Sequence, residues 1–217
     1  MAITVNPADR LSAVQEYYFS RKLKEVAKLN AEGKDIISLA IGSPDMPPSE
    51  QTIDKLCAVA RDANAHGYQP TMGTPELRQA MALFYKRWYG VELNPSDEIL
   101  PLIGSKEGIL HITLAFVNPG DKVLVPNPGY PTYTSLSKIL GAQIVNYNLR
   151  EDNAWQPDFD ELNHMDLSGV KLMWTNYPNM PTGGNARRET YEKLVEFACA
   201  NNIVVVNDNP YSLILND

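Results

Sequence analysis

Residues 171–211 read KLMWTNYPNMPTGGNARRETYEKLVEFACANNIVVVNDNPY, and the whole chain is organised around them. Val170 to Trp174 is a short apolar run, and Ile203 to Val206 is a β-branched run with no polar face. Strands buried on both faces of a parallel sheet have this composition. Between the two runs Tyr191, Leu194, Val195 and Ala198 recur at helical spacing. The stretch therefore predicts a βαβ unit. In such sheets ligands bind outside the carboxyl ends of the strands. Both predicted ends carry polar groups: Asn176, Asn179 and Thr182 after the first strand, Asp208 and Tyr211 after the second.

Working outward, alternation of helix and strand from 98 to 211 predicts one α/β layer structure. The predicted strands are 99–103, 121–126 and 143–147, followed by the two of the opening stretch. The intervening helices start near 105, 131, 157 and 187. Earlier in the chain, Leu11, Val14, Tyr18, Leu23, Val26 and Leu29 predict a helix over 8–32. Ile36 to Ile41 reads as a short strand, and 42–48 as a rigid turn. Residues 49–63 and 74–89 read as two more helices, the second opened by a Thr74 cap followed by Pro75. The first 46 residues are expected to form an N-terminal arm and part of a small domain. Residues 47–217 are expected to form the larger α/β domain.

The strand–Gly104–Ser105–helix sequence is a design for anion binding, since free N–H groups at a helix start face the ligand. Ser105 could cap that helix, and an ordinary capped helix is the competing reading. The chain contains neither GxGxxG nor a Walker loop, which argues against dinucleotides and nucleoside triphosphates. Tyr130 follows the next strand, where it offers either a flat ring for stacking or a lid over the sheet edge. Asp208 is either a turn former or a carboxylate aimed at a ligand. Tyr68 on its loop reads by itself as a packing tyrosine.

Six stretches in order carry a resemblance: SLAIGSPD at 38–45, YQPTMGTPELR at 68–78, GSKEG at 104–108, PNPGYPTY at 126–133, NYPNMPTGG at 176–184 and DNPY at 208–211. With them the chain resembles the class I/II aminotransferases, which are fold-type I pyridoxal-phosphate enzymes. The resemblance implies a mostly parallel sheet with helices on both faces, truncated, with pyridoxal 5'-phosphate as cofactor. It assigns Ser105, Lys106 and Glu107 to the phosphate, Tyr130 to the ring face and Asp208 to the ring nitrogen. Tyr211 is assigned to the phenolic oxygen, with Asp208 and Tyr211 as the catalytic pair; at the neighbouring turn either Asn179 takes the place of a second donor or Tyr211 is the only one. Backbone at Ile41 and Gly42 would meet the substrate carboxylate. Tyr68 would reach the cofactor phosphate of a second subunit in a homodimer. The family's turn has asparagine immediately before Pro-Thr-Gly, where this chain has Met180.

The implied activity is transfer of an amino group between an amino acid and a 2-oxo acid. Nearly the same motifs would serve a lyase or a cyclopropane-carboxylate synthase of the same fold, or a non-catalytic binding module. The family's Schiff-base lysine and carboxylate-binding arginines correspond to positions beyond Asp217, so the sequence reads as an amino-terminal half that would not transaminate alone.

Composition narrows the classes further. A net charge of −7 and the lack of a basic stripe argue against a nucleic-acid partner. No apolar run approaches a membrane span. Three scattered histidines make no metal-ligand spacing. Cys57 and Cys199 lie in apolar helical contexts and are expected as buried free thiols in the reducing cytoplasm.

Overall fold

The computed structural model of the chain describes residues 6–13, 16–39, 41–42 and 45–214. It divides into two compact units, one of residues 16–101 and one of residues 1–15 with 102–217. The division expected near residue 47 falls inside the first of these.

In the unit of 16–101, α1 spans Tyr18–Ala31, α2 spans Glu50–Ala60 and α3 spans Pro75–Tyr89. The Ser49 side chain accepts from the Thr52 N–H at the start of α2. Thr74 does the same for Leu77 at the start of α3, with Pro75 in the first turn. Gly90 ends α3 in the left-handed region at φ 67°. The long helix expected over 8–32 is instead a 3-10 turn at Asp9–Ala13 followed by α1, and Val14 lies outside the described residues. The strand expected at 36–41 is not formed among the described residues, and Ala40 lies outside them. An apolar run becomes a strand only when a neighbour takes its ladder hydrogen bonds, and Ile37 and Leu39 stay exposed.

The other unit is the α/β layer structure. Its helix α4 spans Ser105–Phe116, β1 spans Lys122–Asn127, α5 spans Pro131–Ile139 and β2 spans Gln143–Asn148. Then come α6 at Phe159–His164, β3 at Val170–Asn176, α7 at Arg188–Asn201 and β4 at Val204–Asp208. These four strands pair in parallel, in the order β2-β1-β3-β4. The 99–103 run expected as a strand pairs with none of these, and Ile103 is fully exposed.

Strand alternation sorts the core onto the two faces of the sheet. Val123 and Val125 of β1 and Leu172 and Trp174 of β3 pack with Ile109 of α4 and Tyr133 of α5. Leu124 of β1 and Met173 of β3 pack with Leu162 of α6 and Leu194 and Phe197 of α7. Helices therefore cover both faces, as the near-continuous apolar reading of β3 requires. β4 is only partly buried because one neighbour, β3, covers it among the described residues. On α7 the buried face is Thr190, Leu194, Phe197 and Ala198. Val195 falls off that face and is exposed, and Cys199, one turn further on, is exposed with it. Cys57 is also exposed because α2 buries none of its residues. Both thiols are free as expected, but exposed rather than buried.

The order of the strands creates the site. The chain runs from β1 outward to β2, then crosses back over β1 to β3 and on to β4. The reversal lies between β1 and β3, and loops leaving their carboxyl ends diverge there to opposite faces. A crevice at that point is where open α/β sheets bind ligands.

Candidate active site

Asp208 is the last residue of β4 and opens onto that edge. Two neighbouring elements fix it. The Tyr133 hydroxyl of α5 donates to Asp208 Oδ2 at 2.8 Å. The Asn176 Nδ2 at the end of β3 donates to the Asp208 carbonyl at 2.7 Å. The carboxylate is half-buried, and burial raises its pKa while the Tyr133 hydrogen bond opposes that rise. Burial and the adjacent Asp208 charge push the Tyr133 phenol far above its ordinary value, so Tyr133 stays a donor.

Tyr133 itself is wholly buried. Its ring stacks on Trp174 of β3, with centroids 5.0 Å apart and planes 4° from parallel. Its edge meets the half-buried Tyr130 at 5.5 Å and 85°. Tyr130 leads into α5 through a loop whose tightness requires glycine. An added Cβ at Gly129 would collide with the Pro126 carbonyl oxygen.

The turn after β3 is built from its own polar groups. Asn176 Oδ1 accepts from the Met180 N–H at 2.8 Å. The Asn179 amide is 3 % exposed and spent inside the turn, its Nδ2 donating to the Asn176 carbonyl at 3.3 Å and its Oδ1 accepting from Thr182 at 2.8 Å. Peptide bonds Tyr177–Pro178 and Met180–Pro181 are cis. The Tyr211 hydroxyl donates to Met180 Sδ at 3.4 Å.

At the start of α4 the helix begins at Ser105, with Gly104 in the cap position and no side-chain cap. Ser105 is therefore a first-turn residue and not the cap. The Glu107 carboxylate instead turns back to accept from the Ile103 N–H at 2.8 Å. Space above Gly104 is open, since an added Cβ would meet nothing within 4 Å. Lys106 Nζ lies 5.9 Å from the Tyr130 ring centroid, which brings the α4 start and the Tyr130 loop together.

The unit of 102–214 thus brings Ser105, Lys106, Tyr130, Met180, Asp208 and Tyr211 to one edge of the sheet, with Glu107 and Asn179 shaping the two turns. Tyr68, Ile41 and Gly42 belong to the other unit, where Tyr68 is almost fully exposed and Ile41 exposed. The residue that sequence reasoning passed over is Tyr133. Its signal was a second tyrosine three places after Tyr130, the spacing of one helix face. Among the described residues no cluster of His, Cys, Asp or Glu could hold a metal ion, and no helix is long and apolar enough to cross a membrane.

A half-buried carboxylate with one oxygen engaged, a tyrosine ring that meets the residue bracing it and a helix start without a side-chain cap suit a flat, basic, phosphorylated ring. The fold is that of a fold-type I pyridoxal-phosphate enzyme domain. The family model for aminotransferase class I and II matches residues 34–217, and the chain belongs to that pyridoxal-phosphate-dependent family. It is 43% identical over 208 residues to an LL-diaminopimelate aminotransferase of Dehalococcoides mccartyi, covering 96% of this chain and 54% of the relative. Among solved structures, apo-BacF from Bacillus subtilis superposes with a TM-score of 0.88 at 37% identity, over 95% of this chain and 52% of that one. Alanine aminotransferase from Pyrococcus furiosus does so with a TM-score of 0.90 at 31% identity, over 98% and 54%. The chain spans about half the length of the curated relatives it matches.

Proposed function

We propose that the whole protein is an aminotransferase that moves an amino group between an amino acid and a 2-oxo acid, and that its amino donor is LL-diaminopimelate. The observation that carries the reaction class is the Asp208 carboxylate at the strand end, braced by the Tyr133 hydroxyl, whose ring edge meets Tyr130. The donor is proposed from the curated relatives that carry this substrate in their names at 38–43% identity.

When bound, pyridoxal phosphate supplies an electron-withdrawing ring that stabilises negative charge at the substrate's α-carbon. In this reading the Asp208 carboxylate holds a proton on the ring nitrogen, because an opposite charge at contact favours the protonated base. Tyr133 occupies Oδ2 and leaves Oδ1 for that contact. Tyr130 provides a face for offset stacking. Ser105, Lys106 and the first N–H groups of α4 take the phosphate, helped by the positive end of the helix. Tyr211 donates to the phenolic oxygen, and Asn179 supports that turn from within. Ile41 and Gly42 offer backbone to the substrate carboxylate. Tyr68, with its side chain in solvent, is free to reach a second copy of the chain in a homodimer.

The test incubates the full protein, loaded with pyridoxal phosphate, with LL-diaminopimelate, lysine, alanine and aspartate against a panel of 2-oxo acids. Amino transfer from LL-diaminopimelate is expected with kcat/KM at least about tenfold above the next donor, the scale on which a site matched to polar groups discriminates. Faster transfer from another donor would sink the substrate assignment. Elimination products without transfer would sink the reaction class.

A further inference from the structure

We propose that Tyr133 is a positioning residue that keeps Asp208 ionised and holds it in fixed relation to the Tyr130 wall. The inference rests on the reading of Asp208 as partner of the cofactor's ring nitrogen, and goes beyond it by naming what governs that carboxylate.

Three contacts on one ring carry the argument. The hydroxyl donates to Asp208 Oδ2 at 2.8 Å, one face lies flat on Trp174, and the edge meets Tyr130. Trp174 is itself 1 % exposed and sits mid-strand in β3, so Tyr133 is referenced to the core of the sheet. Carboxylate and wall come from different elements, β4 and the loop before α5, and Tyr133 touches both. A shift of Tyr133 would therefore move one relative to the other.

Half-burial favours the neutral carboxyl, and a donor whose own pKa is raised by burial and by the Asp208 charge opposes this. The groups facing the pair are Tyr133 on the carboxylate, Tyr130 and Tyr147 around Tyr133, Asn176 on the Asp208 carbonyl, and Lys106 over the Tyr130 ring. Each tyrosine near Tyr133 adds to keeping its phenol protonated. A neutral Asp208 would have no charge with which to hold a proton on the ring nitrogen, so the Tyr133 proton acts on the cofactor through Asp208.

Tyr133→Phe keeps the ring, its stack and its edge contact, and removes only the donor. In the cofactor-free full protein, carbon-13 carboxyl NMR follows the titration of Asp208, its signal assigned by its loss in Asp208→Asn. The Tyr133→Phe midpoint is expected to rise. Affinity for pyridoxal phosphate, read by equilibrium dialysis, should fall about ten- to hundredfold, the size of one lost hydrogen bond to a charged group. In the loaded enzyme kcat should fall while the KM for the amino donor stays within about twofold. In an Asp208→Asn background Tyr133→Phe should add almost nothing to the affinity loss, because the two residues act as one unit. Near-ultraviolet circular dichroism checks that the Trp174–Tyr133 stack survives. An unchanged Asp208 midpoint, or additive losses in the double variant, would overturn the proposal. A raised midpoint with cofactor affinity indifferent to Asp208→Asn would instead overturn the ring-nitrogen reading and leave the Tyr133 contact standing.

Discussion

Asn179 and Met180 are adjacent, and their side chains have opposite fates. The family's donor to the cofactor's phenolic oxygen falls at position 180, where this chain has methionine, and spacing alone does not decide whether Asn179 takes that role or Tyr211 is the only donor left. Asn179 spends both ends of its amide on Asn176 and Thr182. Met180 turns its sulfur to the Tyr211 hydroxyl. A thioether accepts weakly and never donates, so Tyr211 is the donor available at this corner. Met180→Asn should add a second donor to the phenolic oxygen and favour its unprotonated form. In the full protein, the pH midpoint of the bound cofactor's absorbance change should then fall by about one unit, the scale of one such hydrogen bond. Tyr211→Phe should raise it. If Met180→Asn leaves the midpoint unchanged while Asn179→Ala raises it, Asn179 is the donor. At this scale motifs single out Asp208, Tyr130 and Tyr211 in order along the chain. Tyr133 is not singled out, because its role depends on a hydrogen bond between residues 75 positions apart, and no local pattern encodes that distance.

At the scale of elements, local chemistry decides as far as each element closes its own hydrogen bonds. α3 was readable end to end: Thr74 caps it, Pro75 opens it and Gly90 ends it in the left-handed region. The strands of the sheet were legible within a few residues because their apolar runs meet partners. The runs at 36–41 and 99–103 have similar composition but no ladder partner among the described residues, and composition cannot report that. Likewise the face of α7 was read one residue too wide, since Val195 matched the period but sits off the buried stripe. The cap is the place to test local control. Thr74→Ala removes the acceptor for the Leu77 N–H and should cost about 1 kcal/mol. Thr74→Asn keeps an acceptor and should cost a few tenths at most. Urea unfolding followed by helical circular dichroism should show a lower midpoint with an unchanged slope for the alanine variant alone. Equal stability of all three proteins would mean that the cap contributes nothing in this unit.

For the whole molecule, the order β2-β1-β3-β4 is the part no single stretch announces, yet it decides where function sits. It brings the ends of β3 and β4 together and puts a carboxylate where burial works against its charge. That arrangement should reduce stability for the sake of binding, and pH exposes it. Burial raises the folded-state pKa of Asp208 above its unfolded value near 3.8. Between those two values the native state binds more protons than the unfolded state, so stability falls as pH rises through the window and stays reduced above it. Asp208→Asn removes the titrating group and keeps an oxygen that can accept from Tyr133. In the cofactor-free protein it should therefore raise Tm at pH 7. The gain should shrink as pH falls through the folded-state pKa, and below the unfolded value it should vanish. Saturating pyridoxal phosphate should reverse the ranking, because a ligand stabilises the native state in proportion to its affinity, and the affinity is expected to need the carboxylate. Calorimetric scans from pH 3 to 8, with and without cofactor, read all of this. An Asp208→Asn variant that is less stable than the parent at pH 7 without cofactor would mean that Tyr133 and Asn176 already compensate the buried charge in full.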